Sequence, residues 1–300
     1  MTLTDNQARR QRHCRVLEQD LSRGASALAD QALVEVARFA RECPVPDTAA
    51  LAAELTLLAD ELAGTRPGMV VIANGLAAWR QTLPALSSLP LEQARQRAGE
   101  QAEAVRQQRV AARRAVVANT LASLQPGTTL MTHSHSGAVE ALFAACAETG
   151  LAVSAILTES RPGYEGHALA ARLSALSIPV QLITDAQMAL FVGQADRVVL
   201  GADTVLADGS VINKAGSALL ALAAREAGVP VWVLADRFKT ATQEAVDGCH
   251  EEKAADELGA PSLPGVRVRN CYFEVVPAAL IHTRVDEHGA HWRFARKAKG

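Results

Sequence analysis

Arg197-Val-Val-Leu-Gly-Ala-Asp-Thr-Val-Leu-Ala-Asp-Gly-Ser-Val-Ile-Asn-Lys-Ala-Gly-Ser-Ala-Leu-Leu-Ala-Leu-Ala-Ala-Arg225 is the stretch that decides the fold. Its first residues, 197–200, form a short apolar run that reads as a buried parallel strand, and 217–225 read as a helix. The residues between them, 201–216, read as a loop. That loop carries the carboxylates Asp203 and Asp208, the glycines Gly201, Gly209 and Gly216, and the pair Asn213-Lys214. Open α/β sheets bind ligands beyond the carboxyl ends of their strands. An acid, a cation and pliable backbone at such an end suit a small, anionic, hydroxyl-rich ligand. A sugar phosphate answers that description.

The same pattern repeats from Gly127 onward. Short apolar runs at 129–132, 152–157, 180–183, 197–200 and 229–235 alternate with helical segments at 137–149, 166–176, 185–192 and 217–227. That alternation means βαβ units and a parallel sheet, and runs apolar throughout require cover on both faces. Upstream the texture is different. Residues 9–41 carry apolar positions at helical spacing, broken near Ser22-Arg-Gly-Ala25. Cys43-Pro-Val-Pro-Asp47 is a turn whose Asp47 is placed to cap a helix over 48–62. Further helical segments cover 70–81 and 91–124, the last stopped by Gln125-Pro-Gly127. The expected fold class is α/β: a helical N-terminal domain, 1–125, followed by a Rossmann-like parallel-sheet domain, 126–300.

Composition narrows the function. The chain has 300 residues, 49% hydrophobic and 21% charged, and no run near the roughly 20 apolar residues of a membrane span. Its polar N-terminal stretch is no secretory signal. The 5 cysteines (Cys14, Cys43, Cys146, Cys249, Cys271) show no paired spacing, so neither a disulfide framework nor a zinc site is indicated, and a reducing cytoplasm is the expected compartment. A net charge of −2 gives no electrostatic basis for nucleic-acid binding. No Gly-x-Gly-x-x-Gly follows any candidate strand, which removes a nucleotide-dependent dehydrogenase from the readings.

The strand ends gather the polar chemistry. They are Thr132-His-Ser-His-Ser-Gly137, Thr158-Glu-Ser-Arg-Pro-Gly-Tyr-Glu-Gly166, Thr184-Asp185, the 201–216 loop and Ala235-Asp-Arg-Phe-Lys239. His133 and His135 titrate near neutrality, and strand alternation would turn both to one side. No third ligand with metal spacing accompanies them, so no metal is expected. Ser136-Gly137 either offers helix N–H groups to an anion or is a simple N-cap. Glu159 and Arg161 form a structural pair, or Arg161 makes a bidentate phosphate contact. Asp185 reads as the cap of the next helix.

Taken together, Thr132-His133, Glu159-Ser-Arg161 with Gly166, Thr184-Asp185, Gly201-Ala-Asp203, Asp208-Gly209 and Asn213-Lys214 resemble the translation initiation factor 2B regulatory subunits. That family also contains methylthioribose-1-phosphate isomerase and ribose-1,5-bisphosphate isomerase. Ser22-Arg-Gly-Ala25 is similar to the isomerases' Arg-Gly loop, Thr65-Arg-Pro67 to their Arg-Pro segment, and Phe273-Glu-Val-Val-Pro277 to the family's closing strand. The match runs from Arg23 to Thr283.

The resemblance implies a C1-phosphorylated pentose as ligand, a homodimer or higher homo-oligomer, and no cofactor. It places Arg23, Gly24, Arg66, Arg161, Gly166, Asn213, Lys214 and Lys239 around the ligand and Asp203 at the catalytic acid. The family's catalytic cysteine falls on Ser134, a departure. A thiol ionises near pH 8.5, whereas a serine hydroxyl acts as a base only when another group activates it. His135 is the adjacent candidate for that work. Two readings follow: an aldose–ketose isomerase that dispenses with the cysteine, or a non-catalytic sensor of a sugar phosphate or nucleotide.

Overall fold

The computed structural model describes residues 3–20, 24–241 and 252–292. Two compact units divide the chain: 1–111 with the short segment 238–240, and 112–237 with 241–300.

The first unit is helical. It contains α1 (Leu3–Glu18), α2 (Ala25–Glu42), α3 (Thr48–Gly64), α4 (Val70–Arg80) and the first part of α5 (Leu91–Leu121), inside which the division falls. Asp47 caps α3 as expected, its carboxylate accepting from the Ala50 amide at 2.8 Å. The 3.6-residue period of the α2 sequence brings Leu28, Ala32, Leu33, Val36 and Phe39 into one buried face. They join Leu51, Leu55, Leu58, Leu62, Ile72 and Trp79 in the core. The first helix adds Leu17 and Cys14 to that core and is held by charge as well. Arg10 pairs with Glu54 and Glu61, and His13 sits between Glu35 and Glu42 with both ring nitrogens 2.6 Å from a carboxylate oxygen.

The second unit is built on strands β1 (Thr128–Thr132), β2 (Val153–Thr158), β3 (Val180–Ile183) and β4 (Arg197–Leu200). These are followed by β5 (Thr204–Val205), β6 (Val211–Lys214), β7 (Val231–Leu234), β8 (Phe273–Val276), β9 (Thr283–Asp286) and β10 (Gly289–Trp292). The main sheet runs β10-β9-β7-β4-β1-β2-β3, and all its pairs are parallel except β9 with β10. Helices α6 (Gly137–Thr149), α7 (Glu165–Ala175), the single turn α8 (Met188–Phe191) and α9 (Ser217–Glu226) connect the strands. Strand alternation feeds two cores. Leu130, Ala155, Leu157 and Trp232 pack with α6, α7 and the end of α5, while Met131, Ile156, Val198 and Val231 pack with α8 and α9.

Several expectations are corrected. Residues 201–216 are not one loop: β5 and β6 pair antiparallel, and β6 pairs with β8, making a separate three-stranded sheet. The reversal comes from Asp208, which accepts from the Ser210 amide and hydroxyl at 2.8 and 2.9 Å, and from Gly209 at φ +82°. Two residues of strand on one side of that turn are too few to show alternation. The 185–192 helix breaks into a 3-10 turn, α8 and a second 3-10 turn. Nor is every strand covered on both faces, since β3 forms the sheet edge with Gln181 and Leu182 exposed. The closing hairpin of β9 and β10 went unread.

Candidate functional site

In the sheet unit, β1 lies between β2 and β4, so the strand order runs one way to β3 and the other way to β7. Such a switch point opens a crevice at the carboxyl ends of the two central strands. The residues leaving β1 (133–136) and β4 (201–203) stand at that point. They are in contact there: a Cβ on Gly201 would come within 2.3 Å of Ser136 Oγ. Glycine is required for that approach.

The two histidines after β1 diverge, which corrects the same-side expectation. Ser134 adopts the left-handed conformation, φ +64°, and breaks the alternation. His133 turns inward and is 2% exposed. Its Nδ1 lies 2.7 Å from Thr158 Oγ1 and its Nε2 2.8 Å from the Ala215 carbonyl. Burial drives its pKa below the ordinary histidine value and keeps the ring neutral. His135 turns outward to Glu140, 2.6 Å away, which also accepts from Arg172 at 2.5 Å. Burial pushes the Glu140 pKa up, but these two hydrogen bonds outweigh it and leave the carboxyl below its usual range. The Ser134 amide donates to Ser160 Oγ at 2.7 Å, and Ser160 is itself left-handed at φ +62°.

Asp185 does not cap the helix after β3. Thr184 does, through a capping box with Gln187. Asp185 instead accepts from the amides of Ser160 and Arg161 at 2.8 and 2.7 Å, pinning the loop after β2. Arg161 makes no pair with Glu159; it stacks over the Tyr164 ring, donates to the Tyr164 hydroxyl, and donates to the Leu258 carbonyl at 3.0 Å. Gly166 explains itself by packing, since a Cβ there would fall 1.8 Å from the Thr158 carbonyl oxygen.

On β6, Asn213 and Lys214 are buried. Asn213 donates to Ser217 Oγ at 2.8 Å. Lys214 Nζ lies 2.6 Å from Glu165 Oε1 and 3.7 Å from the centroid of the Tyr272 ring. Its charge is thus already met by a carboxylate and an aromatic face, which suits it to hold a ligand hydroxyl better than to neutralise a phosphate. The start of α9 is also occupied: Glu274 Oε1 accepts from the Gly216 and Ala218 amides at 2.7 and 2.8 Å. Asp203 is half-buried where β4 hands over to β5, its amide bonded to the Ile212 carbonyl at 2.9 Å.

Of the residues predicted from the helical half, Arg23 lies outside the described residues. Gly24 is the N-cap residue of α2, with open space where a Cβ would be. Arg66 Nη2 caps the end of α1, lying 3.3, 3.1 and 3.0 Å from the carbonyls of Leu17, Glu18 and Asp20. Lys239 is buried in the short segment grouped with the helical unit, where Asn74 donates to the flanking carbonyls of Phe238 and Thr240 at 2.7 and 2.8 Å. The reading missed Thr158, Ser160, Glu165, Tyr272 and Glu274. All of these but Tyr272 lie inside quoted motifs, but nothing in the sequence marks their partners.

Residues 21–291 match the initiation factor 2 subunit family. The chain belongs to that family. It is 36% identical over 275 residues to ribose 1,5-bisphosphate isomerase of Haloferax volcanii, spanning 89% of this chain and 84% of that protein. To methylthioribose-1-phosphate isomerase of Syntrophotalea carbinolica it is 31% identical over 286 residues, 89% of this chain and 83% of the relative. Its fold superposes on the crystal structure of translation initiation factor eIF-2B from Pyrococcus horikoshii OT3 with a TM-score of 0.80 at 29% identity, covering 94% and 96% of the two chains. Among the described residues no helix is long and apolar enough to cross a membrane, and no group of His, Cys, Asp and Glu is placed to hold a metal ion.

Proposed function

We propose that this member of the family is a phosphopentose isomerase that converts an aldose to a ketose, with a ribose-1,5-bisphosphate or methylthioribose-1-phosphate type of substrate. The observation that carries the reading is the 36% identity, across 89% of the chain, to a ribose 1,5-bisphosphate isomerase. The switch-point crevice supports it, because Ser134 and Asp203 leave adjacent central strands there.

In this reading Asp203 exchanges protons with the hydroxyl and carbonyl oxygens as the carbonyl moves from C1 to C2. Ser134 stands in the cysteine's place, where the hydrogen leaving C2 is taken up and returned to C1. His135 is a poorer candidate for it, because its Nε2 is committed to Glu140. Arg161 supplies charge for phosphate, and Asn213 with Lys214 holds sugar hydroxyls. By resemblance, Arg23, Arg66 and Lys239 are assigned to the phosphate and Gly24 to substrate binding. Assembly as a homodimer in the cytoplasm is part of the proposal. No cofactor enters the chemistry.

A second reading keeps the ligand and removes turnover. It is favoured by one specific observation, the serine at position 134. One experiment separates the two: purified protein is incubated with ribose 1,5-bisphosphate and with methylthioribose 1-phosphate, and carbon NMR follows the aldose and ketose signals. Conversion establishes the isomerase. Thermal stabilisation without conversion establishes the sensor, and neither effect overturns the site.

A further inference from the structure

We infer that His133 is a positioning residue, a neutral imidazole whose hydrogen-bond chain through Thr158 and Ser160 fixes the left-handed turn at Ser134. Its consequence for turnover rests on the isomerase reading; its geometry does not.

The chain has one consistent direction. The Ala215 carbonyl, 2.8 Å from His133 Nε2, only accepts, so Nε2 carries the hydrogen. In a neutral ring Nδ1 then accepts, and the Thr158 hydroxyl donates to it at 2.7 Å. Having donated, Thr158 Oγ1 can only accept, and the Ser160 hydroxyl faces it at 3.0 Å while also reaching the Thr158 carbonyl at 3.3 Å, so Ser160 is the donor toward Thr158 in either case. Ser160 Oγ in turn accepts the Ser134 N–H at 2.7 Å. Every donor in the series is used, and the series ends on the backbone of the residue that replaces the family's cysteine.

Other features hold the chain in place. Gly216 sits at φ +108°, and a Cβ on it would lie 2.6 Å from His133 Nε2, so the glycine leaves room for the ring. From the other side, Asp185 fixes Ser160 by accepting its amide at 2.8 Å. Left-handed non-glycine residues are strained and persist only where the surroundings over-determine them. Ser134 and Ser160 are two such residues, joined to each other and braced at both ends. The titratable groups around the ring are Asp185, Lys214 and Glu165. With both nitrogens engaged and the ring 2% exposed, His133 has no lone pair or proton to offer a substrate.

Three variants separate positioning from acid–base work. His133→Ala removes both bonds; His133→Asn restores an acceptor for Thr158; Thr158→Val breaks the chain while keeping the ring. Expected for His133→Ala is a fall in kcat of about tenfold or more, the order of one lost buried hydrogen bond, with KM nearly unchanged. His133→Asn recovers most of that loss, Thr158→Val reproduces it, and the pH limbs of kcat stay where they were in all three.

A second readout is independent of turnover. Nitrogen NMR of the wild-type protein is expected to show His133 still as the neutral Nε2–H tautomer at the ordinary histidine value of 6.5, where a free histidine is half protonated. The Ser134 amide, protected from exchange in the wild type, becomes exposed in Thr158→Val and recovers in His133→Asn. A ring that titrates near neutrality, an Asn variant as inactive as Ala with a pH limb removed, or a Ser134 amide indifferent to Thr158→Val each overturns the assignment. If the wild type converts no sugar, the isomerase reading fails, and the NMR arms still decide the role of His133.

Discussion

Asp203 and Arg161 carry the sharpest consequences of the proposed chemistry, because each is asked for one thing. Asn in place of Asp203 keeps the side chain's size and removes its proton transfer. Asp203→Asn is expected to lower kcat by about a hundredfold or more while ligand affinity changes little. Carbon NMR for conversion and calorimetry for binding read the two quantities, and undiminished turnover would remove Asp203 from the mechanism. Arg161→Ala makes the opposite split. Loss of a charge-assisted phosphate contact should weaken binding by about tenfold to a hundredfold, and an unchanged Kd shows that Arg161 belongs to Tyr164 and Leu258 alone. Gly166→Ala tests packing without chemistry: its Cβ would need the space of the Thr158 carbonyl, 1.8 Å away. Backbone must move, so a cost of about 3 kcal/mol is expected, read as a lower denaturation midpoint of the sheet unit. These residues were visible in sequence because each lies in a short motif at a strand end. Their partners were not. Lys214 meets Glu165 and Tyr272 from opposite sides of the sequence, and Glu274 reaches Gly216 from a strand that no local pattern ties to β6.

Among the elements, α1 buries Leu17 and Cys14 and adds to them a set of charged contacts. Arg10 reaches α3 at Glu54 and Glu61, and His13 reaches α2 at Glu35 and Glu42. Both His13 nitrogens face carboxylates, so both must donate and the ring must be the cation. Burial opposes that charge, yet the hydrogen bonds to Glu35 and Glu42 prevail and hold the His13 pKa above its ordinary value. Glu35 answers in kind: burial raises its pKa, and the bonds from His13 and Gln31 bring it below the usual carboxylate value. His13→Gln leaves Glu35, 2% exposed as a side chain, with Gln31 and Arg38 but without the cation that faces its Oε2. With those partners kept, a loss of about 2 kcal/mol from the helical unit is the expected order, that of a hydrogen bond to a charged group. Hydrogen exchange should show α1 opening while α3 and α4 stay protected; uniform opening of all the helices would mean that α1 is not separately latched. The helix itself was legible from its spacing, and its charged anchoring was not, since pairs such as Arg10 with Glu54 span 44 residues. Regular elements were legible wherever period or punctuation was long enough, as with Asp47 before α3. The β5–β6 hairpin was too short to declare itself, and β9 and β10 are recognised only by the strands they join.

For the whole molecule, two histidines place opposite demands on pH. His13 in the helical unit has a folded pKa above the ordinary 6.5. The folded state therefore holds its proton more tightly than the unfolded chain, and the stability this gives is complete below 6.5 and fades as pH climbs through the folded value. His133 in the sheet unit has a folded pKa below 6.5, so there the unfolded chain takes up the proton more readily. Its unit is undisturbed above 6.5 and loses stability as pH falls from 6.5 toward the folded value. Glu35 adds an acid limb to the helical unit, below the ordinary glutamate value of 4.5. The two units should therefore fail in different directions, with joint stability greatest close to 6.5, where neither histidine has begun its loss. Calorimetry from about pH 5 to about 8.5 tests this, since each unit of pKa shift is worth about 1.4 kcal/mol in the unit that carries it. His13→Gln should flatten the alkaline limb of the helical transition and leave the acid limb of the sheet transition intact, while His133→Asn should do the reverse. A single transition whose two limbs respond alike to both variants would show that the molecule unfolds as one body and that neither histidine sets its pH range.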